Sequence, residues 1–89
     1  MPYISENYRD ILRKELAELI IVLKTIKDSD LDGCLNYVIS KLAIDLYGRG
    51  GYAVYNRLIG VLESAKQEFY RREMAPYEDK KKNENSDIY

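Results

Sequence analysis

Apolar side chains recur along this chain at spacings of three and four, the period of one face of an α-helix. Tyr8, Leu12, Leu16, Leu19, Leu23 and Ile26 form a first stripe and predict a helix from about Glu6 to Lys27, with Ser5 as its N-cap. Leu35, Val38, Ile39, Leu42 and Leu46 form the core face of a second, from about Gly33 to Tyr47. Tyr55, Leu58, Ile59, Leu62, Ala65 and Phe69 form that of a third, from about Tyr52 to Met74. Gly48-Arg49-Gly50-Gly51 should stop the second helix, because glycine supplies a positive φ. Pro76 should end the third. The expectation is an all-α three-helix bundle over residues 1–74, with a polar tail, 75–89, packed on it.

Two details complicate a self-sufficient bundle. The run Leu19-Ile20-Ile21-Val22-Leu23 is apolar on every side of its helix, so either two helices flank it or another subunit does. Ile21, Tyr37 and Ile44 point away from the core stripes. A chain of 89 residues buries a marginal core, and oligomerisation is a common remedy. A homo-oligomer is therefore expected, a dimer or higher, with Ile21 and Ile44 between chains.

Composition narrows the partners. The net charge is −1, and residues 1–74 carry as many acidic as basic side chains, which disfavours nucleic-acid binding. The longest apolar run is far too short to span a bilayer, and the first residues lack the apolar core of a signal peptide, so no membrane partner is expected. A single cysteine, Cys34, fits a reducing, cytoplasmic setting. Nine tyrosines beside one phenylalanine favour rings with a polar tip, suited to interfaces and ligand sites as well as to the edge of a core.

Four local patterns carry candidate chemistry. Asp28, Asp30, Asp32, Gly33 and Leu35 match the start of a calcium-binding loop, but Ile39 stands where the bidentate glutamate belongs. The aspartates read better as a turn that caps the second helix, and no metal or cofactor is expected. The glycines around Arg49 could offer backbone N–H groups to an anion, although the lysine and hydroxyl of a phosphate loop are missing. Beside the core faces run two stripes of small and polar residues: Asn36, Ser40, Ala43 and Tyr47, then Asn56, Gly60, Glu63 and Gln67. They suit a subunit contact or a polar cleft, with Lys66 close by. Arg71-Arg72 could pair with phosphate, with Glu68 and Glu73 near enough to neutralise them.

Enzyme signals are thin. Histidine is absent, and Glu15, Glu18 and Glu63 only weakly resemble the carboxylate set of magnesium-dependent nucleotide pyrophosphohydrolases.

Leu35-Asn36-Tyr37-Val38-Ile39, Gly60-Val61-Leu62-Glu63, Phe69-Tyr70-Arg71-Arg72 and the ending from Pro76-Tyr77-Glu78-Asp79-Lys80-Lys81 to Tyr89 resemble a family of short bacteriophage and prophage proteins. Ser86 stands where that resemblance implies glycine. The resemblance implies an ordered tail anchored by Tyr77 and Tyr89, and a phage accessory setting in which small helical oligomers trap nucleotide immune signals. The leading expectation is a non-enzymatic homo-oligomer that sequesters a small anionic ligand. Arg71, Arg72, Lys66 and Arg49 would meet phosphates; Tyr37, Tyr55 and Tyr77 would stack; Asn36, Asn56 and Glu63 would read polar edges. The alternative is a protein–protein interaction module that binds a host or phage protein.

Overall fold

The computed structural model describes residues 2–89, which are all-α with no strand among them. α1 spans Glu6–Leu23, α2 Asp28–Tyr47 and α3 Tyr52–Phe69. A π-helical turn, Tyr70–Met74, joins α3 to α4, Ala75–Asn85. The three helices read from the apolar periodicity are present, and the tail's order takes the form of a fourth helical segment.

The ends of the elements follow local chemistry, with three departures from expectation. Ser5 is the N-cap of α1 in extended conformation, yet its hydroxyl makes no capping bond; its carbonyl accepts from Arg9 N–H at 3.1 Å. α1 ends at Leu23, earlier than Lys27, in a tight turn in which Thr25 Oγ1 donates to the Val22 carbonyl at 2.7 Å. α2 begins at Asp28, so the acidic segment is not a loop but the first turns of a helix. Asp28 and Asp30 lie where carboxylates favour the positive end of the helix dipole. Gly48 closes α2 with φ +74°, as its position required.

Pro76 does not terminate the third helical run. Proline has no N–H, and its ring collides with the carbonyl four residues back, here that of Arg72. The backbone absorbs this by one wide turn, in which Ala75 N–H reaches Tyr70 O. Helix then continues across the domain boundary expected after residue 74. α4 packs against the π turn and against no other helix. Ser86, the C-cap of α4, has φ +75° and ψ 149°, a conformation that glycine adopts most readily.

The packing is open. Among the described residues none is buried. Leu19, Leu23 and Ile26 of the first stripe are half-buried, whereas Leu12 and Leu16 stay exposed. On α2 the side turned inward is Leu31, Cys34, Val38, Ala43 and Tyr47. Leu35, Leu42 and Leu46 are exposed, Leu46 at 75%. On α3 Val54 and Leu58 are half-buried, while Tyr55, Ile59 and Phe69 are exposed. The expected core faces of α2 and α3 are thus largely turned to the surface of the single chain.

The radius of gyration is 16.9 Å, against about 12 Å for a compact domain of this length. The accessible surface is 8224 Å², against about 5,400 Å² for a folded monomer of this mass.

Candidate functional site

The C-terminal half of α3 and the π turn gather the densest polar network in the chain. Glu68 Oε1 accepts from Arg71 Nη2 at 2.6 Å and from Arg72 Nε at 3.1 Å. It also accepts a hydrogen bond from the hydroxyl of Tyr3. The Tyr3 hydroxyl in turn accepts from Arg72 Nε at 3.1 Å and Nη2 at 2.8 Å. The Arg72 guanidinium also lies 5.8 Å from the Tyr3 ring centroid, within cation–π range.

The arginines meet Glu68 because helix geometry puts residues three and four apart on one side. Tyr3 arrives from the other end of the sequence. Its hydrogen bond, together with those of Arg72 and Arg71, holds Glu68 below the ordinary glutamate value. The same Tyr3 hydroxyl and Glu68 carboxylate raise Arg72.

The sign of the linkage follows. A depressed glutamate contributes stability that is present above its ordinary value of 4.5 and is lost as pH falls through the lower folded value. Between neutral pH and 4.5 the Tyr3 ring resonances should hold still, then move in one acid step; Glu68→Gln should abolish that step. A step that persists in the variant would assign it elsewhere.

One turn earlier, Gln67 Nε2 donates to Glu63 Oε1 at 2.9 Å, and Lys66 Nζ lies 3.6 Å from the same oxygen. Gln67 first, then Lys66, holds Glu63 below its ordinary value. Glu63 and Arg71 share an open cleft of about 630 Å³ walled by Pro2, Gln67 and Glu68, with Gly60 at one side. Tyr70, also on this cleft, faces the Glu78 carboxylate across the bend at Pro76, and that negative charge raises the phenol.

The remaining expected ligand residues are spread over the chain. Asn36, exposed on α2, accepts from Ser40 Oγ at 3.2 Å, one member of its stripe bonded to the next. Tyr37 is exposed on α2 and Tyr55 on α3. Arg49 lies in the exposed connection between α2 and α3, and Asn56 is exposed on α3. Tyr77, with Lys81 Nζ 5.7 Å from its ring centroid, lines a separate hollow between α4 and the C-terminal residues Asp87–Tyr89. Of the ten expected residues, then, Glu63 and Arg71 line one cleft, with Lys66 and Arg72 at its margin through shared carboxylate partners.

Two contributors were not singled out from sequence. Tyr3 joins Glu68 and Arg72 from 65 and 69 positions away, and no local pattern signals that. Arg57 lies 5.0 Å from the Tyr47 ring centroid, a pairing between helices that spacing alone does not show. Among the described residues no group of acidic, histidine or cysteine side chains is placed to hold a metal ion. Among the same residues, no helix is long and apolar enough to cross a membrane.

A helical chain with its polar groups gathered at the α3–π junction defines a small all-α protein. The chain belongs to the family described as a domain of unknown function, DUF6899, whose model matches residues 1–88. No curated protein and no solved structure matches it.

Proposed function

We propose that this is a phage accessory protein that acts without catalysis, as a homo-oligomer that sequesters a small anionic ligand of nucleotide type in the host cytoplasm. The observation that carries the reading is the surface excess. The chain exposes about 2,800 Å² more than a compact monomer of its mass should. Two such chains together carry about 5,600 Å² of excess, at or beyond the upper end of obligate interfaces, about 2,000–5,000 Å² summed over both partners, so extensive burial against one or more further copies would account for it. The exposed residues are of the right kind: Leu12, Leu16, Ile21, Leu42, Leu46 and Ile59 are apolar and lie on three helices.

Assembly would also bring residues now dispersed, such as Asn36, Tyr37 and Tyr55, toward a polar cleft of another copy. Arg71 and Arg72 share the single Glu68 carboxylate, which leaves N–H donors of their guanidinium groups that would suit a phosphate.

Calorimetry against a panel of cyclic dinucleotides and cyclic ADP-ribose isomers tests the reading. At least one should bind, and Arg71→Ala with Arg72→Ala should weaken binding by about tenfold or more, the loss of a charge-assisted contact. Silence across the panel at high protein concentration would reject it.

A second reading has its own observation. Ile4, Leu12, Leu16, Ala17 and Ile20 line an open apolar groove of about 390 Å³ on α1, flanked by Arg9 and Arg13. A groove of this kind suits an amphipathic helix of a protein partner. A host protein recovered in stoichiometric amount, and lost with Leu16→Glu, would favour an interaction module over a ligand trap.

A further inference from the structure

α1 is held in place by remarkably few attachments for a helix of 18 residues. It packs on α2 alone and makes no helix-to-helix contact with α3. Its link to α2 is the short turn 24–27. One other attachment exists. The strap before α1 lies along the end of α3, where Tyr3 is clasped by Glu68 and Arg72. Among the described residues, the side-chain hydrogen bonds other than those of Tyr3 join partners no more than four positions apart.

We infer that the N-terminal strap is a latch: Tyr3, seated between Glu68 and Arg72, fixes the start of α1 against the end of α3 and walls one side of the open cleft that Glu63 and Arg71 line. Three features give the latch its strength. The Tyr3 hydroxyl uses both of its capacities, donating to the carboxylate and accepting from the guanidinium. The hydrogen bonds are charge-assisted. The guanidinium also sits against the hydroxyl end of the ring, 5.8 Å from its centroid. Glu68 is the most sheltered partner in any ion pair among the described residues, its side chain 20% exposed, so water competes less for it than for the other paired acids.

The strap is also a wall. Pro2 borders the cleft, so release of Tyr3 removes that side of it. The turn 24–27 then serves as the hinge about which α1 swings, carrying the apolar groove of Leu12, Leu16 and Ile20 with it. The latch is a property of the single chain and does not depend on what the cleft binds.

The test is NMR on the full chain. In the wild type, the Arg72 Nε–H should exchange with water at least about tenfold more slowly than that of Arg13, whose pairing with Asp10 is on the open surface. Residual dipolar couplings of α1 and α3 should fit a single alignment frame. Tyr3→Phe keeps the ring and removes the hydroxyl. It should bring Arg72 to the Arg13 rate and shrink the couplings of α1 relative to α3, while those within α3 keep their pattern. Glu68→Gln should do the same, and serves if Tyr3→Phe does not fold. Equal exchange at Arg72 and Arg13 in the wild type would overturn the latch. So would full-sized α1 couplings in both variants.

Discussion

Light scattering at micromolar concentration should return at least twice the chain mass of 10.4 kDa, and Ile21→Glu or Ile44→Glu should reduce it to the monomer. Both isoleucines are exposed on the single chain, Ile21 at 65% and Ile44 at 43%. Apolar surface left wet forgoes roughly 25 cal/mol for each Å². If a little over half of the roughly 2,800 Å² excess is apolar, the forgone stabilisation is tens of kcal/mol, well above the 5–15 kcal/mol that separates folded from unfolded domains. If the fold draws on a second copy for that stabilisation, the glutamate variants should also lose helix at low concentration. A monomer mass for the wild type, unchanged by either substitution, would remove the basis for the oligomeric reading.

Replacing Pro76 with alanine should rotate α4 about α3 by roughly 100°, the angle of one residue in an α-helix. The alanine N–H can donate to the Arg72 carbonyl, and the ring that collided with that carbonyl is gone. The wide turn Tyr70–Met74 then has no cause and should close to ordinary α-helix. Helicity should rise, and stability with it by about 1 kcal/mol, the usual net worth of a hydrogen bond. Tyr70 should move away from the Glu78 carboxylate, so its raised phenol should return toward the ordinary value. Chemical shifts of residues 70–78 and the Tyr70 titration read both changes. A π turn that persists in Pro76→Ala would mean that tertiary contacts, and not proline, impose it.

The parts of the site that could be read in advance are those made by neighbours on one helix. Glu68 with Arg71 and Arg72, and Glu63 with Lys66, follow from spacings of three and four. The role of Tyr3 could not, because nothing in the pattern near it tells which distant surface it meets. Nor did the aspartates of residues 28–32 reveal that they begin a helix: acidic residues suit both a turn and a helix N-terminus, and tertiary setting chose the helix.

What the sequence determined by itself is local. Apolar spacing placed three helices, and Gly48 placed the break after the second, because backbone sterics and helical period act over a few residues. Pro76 marked a disturbance in the right place, but a helix already running on both sides could absorb it as one wide turn. Which face of each helix turns inward was decided by tertiary structure. On α2 an inward row of Cys34, Val38, Ala43 and Tyr47 displaced the more apolar row of Leu35, Leu42 and Leu46. The physical reason is that α2 has apolar residues on more than one side, so hydrophobicity alone does not rank its faces. The choice falls to whichever face lets short turns of four residues, 24–27 and 48–51, bring α1 and α3 alongside α2, and the other face is left exposed.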